Sequence, residues 1–370
     1  MQARRRQMRI LIVGAGAIAH HHAAAARKIP GAAILAADPS AEARARFAEA
    51  FPEALVFEEP EAMLREATAG PSDIVVIAVP PWLHAPMSIL AFGAGFHVLC
   101  EKPVARSVAE LDTMLTAAAD AGRMLGDCAV RFNGQPAMVE AREMIARGEL
   151  GAINLVRLIN RIPRLRPGLE YQPSSRWFLD REKAGGGVLM DWAVYDLAML
   201  FDVLHPVSAH VRAAWIGSID GRDDPIGIPV EVESHAVAML DLTLADGQRV
   251  PFLYERANGV NGPRLHEVSV EGRRGGVGWE WLPPYDDGMT KIIRHVDAGG
   301  KLDTLKEARP MGDHPHVHHQ PLLAFAARIR GEPSVSLDEA DIRFGLATIA
   351  AIYEAAAGHI PSTVVRLPGI

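Results

Sequence analysis

The chain has 370 residues, and at about 150 residues per domain this suggests two domains. Hydrophobic residues make up 49% and charged residues 22%, an ordinary globular composition that argues against disorder. The formal charge of −7, from 38 basic and 45 acidic residues, lacks the basic excess of a general nucleic-acid binder.

The only two cysteines, Cys100 and Cys128, exclude a disulfide framework and zinc sites built from three or four cysteines. Both sit at the ends of apolar runs, as buried reduced thiols do, which fits a cytoplasmic protein. Arg4, Arg5 and Arg6 ahead of the apolar run Ile10 to Ala19 have the look of a secretory signal. The same residues form the first strand and turn of a nucleotide site, which cleavage would destroy. No run reaches the roughly 18 to 20 apolar residues of a membrane span.

In chain order, Arg9 to Val13 is a short apolar strand ending in glycine, and Ile18 to Ile29 is a helix stopped by Pro30. Ala33 to Ala37 is a strand, Ala41 to Ala50 a helix, and Asp73 to Val79 a β-branched central strand. Leu83 to Ala94 is helical, His97 to Cys100 a strand, Ser107 to Ala121 a helix and Met124 to Cys128 a strand. Continuous apolar strands separated by helices predict a parallel, doubly wound sheet covered on both faces over residues 1–128.

The pattern then changes. A helix over Gln135 to Arg147 is followed by strand candidates Ala152 to Asn160, Val207 to Trp215, Val232 to Leu244, Arg249 to Arg256, Leu265 to Gly272 and Gly276 to Trp281. One helix, Gly187 to Val203, interrupts them, and helices Gln320 to Arg330 and Leu337 to Ala357 close the chain. Residues 129–370 therefore read as an α+β domain with a large, mostly antiparallel open sheet. Asp220 to Gly227 reads as a polar surface loop.

Three motifs carry chemistry. Gly14-Ala15-Gly16-Ala17-Ile18-Ala19 is a G-x-G-x-x-A turn between a strand and a helix. Gly14 permits the tight turn, Gly16 admits a pyrophosphate, Ala19 allows close helix–strand packing, and the helix N-terminus offers N–H groups to the phosphates. Asp38, 22 residues after Gly16 at the end of the second strand, can accept hydrogen bonds from an adenosine ribose. Its charge and the absence of arginine at positions 39 and 40 favour NAD over NADP.

Cys100-Glu101-Lys102-Pro103 directly follows a strand, where such sheets place their ligand crevice. Pro103 restricts Lys102 to an extended or turn conformation. The third motif is the helix with Gly185-Gly186-Gly187, Asp191 and Tyr195. The acid and phenol stand four residues apart on one helical face, a plausible proton-handling pair whose phenolate a neighbouring lysine favours. An amphipathic core helix with a capping tyrosine is the structural alternative.

Together these motifs resemble the glucose–fructose oxidoreductase / inositol dehydrogenase / rhizopine-catabolism (Gfo/Idh/MocA) oxidoreductase family over almost the whole chain. Ile74 to Pro80 with His84, the run His97 to Pro103, Gly148-Glu149-Leu150-Gly151 as a domain-junction turn, Gly185 to Tyr195, and the end with Phe325, Gly331 and Tyr353 all match. The resemblance implies a Rossmann domain followed by a substrate domain, and an NAD(P)-dependent dehydrogenase of a sugar, sugar derivative or cyclic polyol. Gly14, Gly16, Ala17 and Ile18 would line the pyrophosphate, Asp38 would hold the ribose, and Val79, Pro80, Trp82 and His84 would lie along the cofactor. Glu101 and Lys102 would reach the nicotinamide end, Lys102 would also touch substrate, Arg131 would sit near the cofactor, and Asp191 would orient the substrate hydroxyl.

Three departures stand out. The family usually has histidine at Tyr195, often glycine at Ala193 and aspartate at Ala198. Tyrosine does occupy the first position in the sugar oxidoreductase and dihydrodiol-dehydrogenase branches. Asp196 does not replace the missing aspartate, since it lies about 200° away around the helix. A large Trp192 narrows the pocket. These departures weigh against inositol more than against dehydrogenase activity. In the implied route Tyr195, helped by Lys102, takes the hydroxyl proton and no metal is needed.

Histidines add distraction. Of His20, His21 and His22, family spacing turns His22 toward the cleft and leaves the other two solvated. His314-Pro315-His316-Val317-His318-His319 looks like a metal tract, but with no acidic cluster nearby and a resemblance to a family without metals it reads as a loop leading into the helix from Gln320, with one histidine lining the pocket. Trp177 is a candidate for stacking on a sugar, with a core role as the alternative. Two other functions fit the motifs: a nucleotide-sensing regulator, which retention of Lys102, Asp191 and Tyr195 opposes, and an oxidoreductase with a permanently bound cofactor. The open sheet of the second domain must bury its outer face, which in this family is done against another subunit, so the resemblance implies a homodimer or homotetramer.

Overall fold

A computed structural model describes residues 8–163, 173–218, 230–282, 288–297, 299–360 and 362–367. Arg4 to Arg6 and the polar stretch Asp220 to Gly227 lie outside the described residues.

The first elements are β1 (Arg9–Val13), α1 (Ala17–Ala26), β2 (Ala33–Ala37), α2 (Ala41–Ala50), β3 (Leu55–Phe57), α3 (Pro60–Glu66), β4 (Ile74–Ile77), α4 (His84–Gly93), β5 (His97–Cys100), α5 (Val108–Asp120) and β6 (Leu125–Asp127). Next come α6 (Pro136–Ala146), β7 (Ile153–Ile162), α7 (Arg181–Ala184), a π-helical segment (Leu189–Ala193) and α8 (Val194–Leu204). Strands β8 (Pro206–Gly217), β9 (His235–Leu244), β10 (Arg249–Asn258), β11 (Leu265–Gly272), β12 (Gly275–Trp279), β13 (Met289–Asp297) and β14 (Leu302–Pro310) follow. The chain closes with α9 (Gln320–Ile329), α10 (Glu339–Ala356) and β15 (Thr363–Val365).

The chain divides into two compact units. The first holds residues up to Arg131 together with Pro315–Arg343. Its six strands run in the order β3-β2-β1-β4-β5-β6, all pairs parallel. Ile10 to Val13 and Ile74 to Ile77 are buried, because helices cover both sheet faces and only apolar side chains are tolerated there. Alanines of α1 allow close approach: Ala19, Ala23 and Ala26 join Ile10, Ile12, Phe47 and the α9 residues Leu322, Phe325 and Ala326 in one core cluster. Phe325 lies so near β6 that a Cβ on Gly126 would stand 2.6 Å from its ring. Thus α9 belongs with the first sheet, whereas the sequence assigns all of 129–370 to a second domain. No local pattern in α9 distinguishes the two, because the packing partner is distant in sequence.

The second unit, Phe132–His314 with Phe344–Leu367, is built on a nine-stranded sheet ordered β14-β13-β12-β11-β7-β10-β9-β8-β15. Its pairs are antiparallel except β7 with β10, which is parallel. Alternating burial along β7 follows from covering one sheet face. Helix α6 packs against α8 and against β12, β13 and β14. The Gly148–Gly151 turn joins α6 to β7 inside this unit, with both glycines at positive φ, and does not mark the division between units.

Candidate active site

The turn after β1 takes the form its residues dictate. Gly14 has φ +100°, and a Cβ there would meet the Ala78 carbonyl oxygen at 2.5 Å, so only glycine fits. Its N–H donates to Ala37 O at 2.8 Å, tying the turn to β2. Gly16 and Ala17 are exposed, and a Cβ on Gly16 would meet nothing within 4 Å. Helix α1 has no side-chain cap and no acid in its first turn, so its N-terminal N–H groups and positive potential face open space. Asp38 closes the arrangement: its Oδ2 accepts from Ala15 N and its Oδ1 from Ser40 N, both at 2.8 Å. Each carboxylate oxygen keeps a lone pair for a ribose hydroxyl. Open space before a bare helix N-terminus, with an anchored carboxylate beside it, fits a dinucleotide pyrophosphate and ribose.

Sequence spacing did not reveal Arg44, which donates from α2 to the Asp38 and Pro39 carbonyls at 2.8 and 3.0 Å. It braces the loop that holds the carboxylate.

Beyond β4, Val79, Pro80 and Trp82 are half-buried, while His84 is buried. The His84 ring bridges two loops, with Nδ1 2.8 Å from Pro103 O and Nε2 2.8 Å from Val79 O. Burial lowers its pKa, while the two carbonyls pull it the other way. His84 therefore fixes the β4 and β5 loops to each other.

Glu101 is 6% exposed at the end of β5. Its Oε1 accepts from His22 Nε2 at 2.9 Å and from Arg131 at 2.8 Å, and its Oε2 accepts from the Lys102 N–H at 3.1 Å. Burial pushes its pKa up, but Arg131, His22 and Lys102 outweigh burial and hold the carboxyl below the usual range. Glu101 and Arg131 thus engage each other, and Lys102 is the half-buried residue that follows them. The His22 ring is buried against Glu101, where sequence spacing had it facing the cleft. His20 and His21 are half-buried where solvated rings were expected: His20 contacts the Phe47 ring edge at 5.3 Å, and His21 stacks on other histidines.

Asp127 was not singled out in the sequence. It pairs with Cys100 in the strand register and is buried near Glu101. Burial pushes its pKa up to about 7, the charge of Glu101 adding to the rise, while the Ala129 N–H and Arg131 oppose it.

In the second unit, the three consecutive glycines have separate reasons. Gly185 ends α7 with φ +83°. A Cβ on Gly186 would meet the Tyr353 hydroxyl at 2.1 Å, and one on Gly187 the Glu233 carbonyl oxygen at 1.8 Å. Glu233 Oε1 then accepts from the N–H groups of Gly187 and Leu189 at 2.9 and 3.1 Å and from Tyr353 OH at 2.6 Å. A glutamate 46 residues away thereby satisfies N–H groups at the helix start.

Asp191 lies in the π-helical segment, a local form frequent at functional sites. The wider turn replaces the plain α-helical face drawn from the sequence for Asp191 and Tyr195. Asp191 lines a small cavity with Phe178, Val188, Glu233, Ser234 and Asn258. Tyr195 is 3% exposed, its ring edge-on to Phe132 at 5.1 Å and to Trp192 at 5.7 Å. Trp192 has the Arg256 guanidinium over its ring at 4.8 Å. Arg256 in turn forms a fully buried pair with Asp196, which also accepts from Tyr254 OH at 2.8 Å. Asp196 thus supports Trp192 through Arg256. Trp177 is half-buried and stacks on Phe178 at 3.8 Å.

Comparison with known proteins agrees. A family model described as "Oxidoreductase family, NAD-binding Rossmann fold" matches residues 8–127, and one described as "GFO/IDH/MocA C-terminal domain" matches residues 138–277. The chain belongs to the Gfo/Idh/MocA oxidoreductase family. It is an NAD-binding oxidoreductase of that family. An uncharacterized oxidoreductase of Synechocystis sp. is 29% identical over 75% of this chain and 73% of its own length. D-glucoside 3-dehydrogenase of Escherichia coli is 26% identical over 94% of this chain and 95% of its own. A solved structure of levoglucosan dehydrogenase in complex with NADH superimposes with a TM-score of 0.77, covering 99% of this chain and all 100% of that one. At 22% sequence identity this last likeness is one of fold.

Proposed function

We propose that the protein is a dehydrogenase that interconverts a secondary alcohol and a ketone on a sugar, a sugar derivative or a cyclic polyol. The observation that carries the reading is the anchored Asp191 segment: an acid and, four residues on, a buried phenol, set on a helix start that Gly187 and Glu233 lock in place. The sugar dehydrogenases among its relatives support the substrate class.

Gly14, Gly16, Ala17 and Ile18 hold the pyrophosphate in this proposal, Asp38 the ribose, and Val79, Pro80 and Trp82 flank the cofactor. NAD supplies hydride acceptance at its nicotinamide ring when bound. Tyr195 takes the hydroxyl proton, Lys102 favours its phenolate, and Asp191 and Lys102 orient the substrate oxygen. His84, whose two ring nitrogens face backbone carbonyls, and the Glu101–Arg131 pair act by positioning the cofactor end. Trp177 offers an aromatic face to a sugar ring.

Further parts of the proposal are a cytoplasmic location and a homodimer or homotetramer. Among the described residues no helix is long and apolar enough to cross a membrane. Trp215 and Met239, on the paired strands β8 and β9, are 55% and 51% exposed, as an apolar patch awaiting a second copy would be. The test is NADH formation from NAD across a panel of sugars, sugar acids and polyols. Turnover of a pyranose or polyol hydroxyl is expected, and NAD binding without turnover of any panel member would overturn the substrate class.

A further inference from the structure

We propose that His21, His316 and His319 form a binding site for a divalent transition metal of the zinc type, clipping α9 to α1 within the first unit. One ring nitrogen from each of the three residues lies within 4.8 Å of the others. Zinc–nitrogen bonds of about 2.0–2.1 Å place tetrahedral donors roughly 3.3–3.4 Å apart, a gap that small ring rotations close.

The residues come from two distant parts of the chain. His21 lies in the second turn of α1, whereas His316 and His319 lead into α9. They meet because Ala23 and Ala26 of α1 pack in the same core as Leu322 and Ala326 of α9.

The chemistry of the donors fits such a metal. Three imidazoles and no carboxylate or thiolate suit zinc, cobalt, nickel or copper, and not magnesium or calcium. Three protein ligands leave a fourth position for water. The rings sit close together: His21 stacks on His318 at 4.4 Å and on His316 at 5.8 Å, and His316 lies 5.1 Å from His319.

One further observation points to a ligand. The Nδ1 atom of His319, one of the three proposed ligands, is buried with no hydrogen-bond partner among the described residues, a state that folded proteins rarely leave uncompensated. The His318 backbone N–H donates to His316 Nδ1 at 3.3 Å, which fixes the exposed ring of the set. His316 is exposed and the other two ligands half-buried, so an ion can enter from solvent. The other compact donor group, His22, Glu101 and Cys128, is fully buried, and its carboxylate is already engaged by Arg131 and His22.

The site also bears on the nucleotide turn. His20 lies 3.0 Å from the Gly16 carbonyl, and His21 is its neighbour, so an ion on His21 steadies the first turns of α1.

The test uses the full chain without a histidine tag, stripped with chelator, then titrated with Co²⁺ and competed with Zn²⁺. Absorption of tetrahedral Co²⁺ and the thermal midpoint are followed. One ion per chain is expected, displaced by Zn²⁺, with a higher midpoint in the loaded protein. His21→Ala and His316→Ala each lower affinity by at least about ten-fold, the scale on which even outer-shell partners act. Each also abolishes the midpoint rise, while His210→Ala, in the second unit, changes neither. His316 is exposed, so its variant folds even if His21→Ala does not. Absence of saturable binding by the wild-type chain, or equal affinity in wild type and His316→Ala, overturns the proposal.

Discussion

Glu233 and Gly187 are joined at two points: the glutamate's Oε1 accepts the glycine's N–H at 2.9 Å, and its backbone oxygen occupies the space a Cβ on the glycine would need. The acid that we propose to orient substrate therefore starts from a helix end held by a residue of another segment. Because the obstructing atom is backbone, neither partner yields by a rotamer change.

Gly187→Ala forces that contact apart. A loss of about 1–3 kcal/mol or more is expected from overpacking, together with a fall in turnover as Asp191 shifts. Glu233→Ala leaves buried N–H groups unpaired at a similar cost, whereas Glu233→Gln keeps an acceptor and is milder. Thermal denaturation and turnover measured on the same preparations check the order.

Asp38 holds the Ala15 N–H as well as offering lone pairs to a ribose. Asp38→Ala should weaken NADH binding by at least about ten-fold, as loss of a charge-assisted hydrogen bond does. With the negative charge gone and Arg44 beside the loop, NADPH binding should suffer less. Fluorescence titration with both cofactors gives the ratio, and an unchanged preference would remove Asp38 from the cofactor site.

Asp127 sets a pH dependence of known sign. With its folded-state pKa pushed up to about 7 from an ordinary 3.8, the native chain keeps a proton that the unfolded chain releases. Its contribution to stability therefore falls as pH rises through that window, with a limiting slope of about 1.4 kcal/mol per pH unit. Asp127→Asn keeps an oxygen for the Ala129 N–H and should flatten the decline, gaining on wild type above neutrality. Glu101 works oppositely: its lowered pKa gives stability that is present above the usual carboxylate value and is lost as pH falls below it. Urea unfolding reads Asp127 between pH 4 and 8 and Glu101 below pH 4, which separates the two residues.

What the sequence discloses follows the range of the interactions. The β1–α1 turn and Asp38 are legible because glycine spacing and strand ends are chain-local. The 3-residue β3 and the 7-residue α3 are too short to show a period. Strands β13 and β14 escape notice because β13 mixes buried, half-buried and exposed residues and most of β14 lies exposed, without an apolar alternation. Glu233 pairs across 46 residues and His22 with Glu101 across 79, so nothing near either residue announces its partner. Asp191 is legible by type and place, but its π-helical turn is not, since it depends on the Glu233 contact. The histidine tract is visible, whereas its meeting with His21 exists only once α9 has packed on α1.

The central claim is that Tyr195 moves the substrate proton in an NAD-linked oxidation. The most direct measurement is turnover by Tyr195→Phe on the best substrate of the panel, with NADH affinity measured in parallel. Loss of a general base costs about 10²- to 10⁴-fold in kcat. We expect a fall of that size with NADH affinity unchanged. Full turnover in Tyr195→Phe would contradict the assignment.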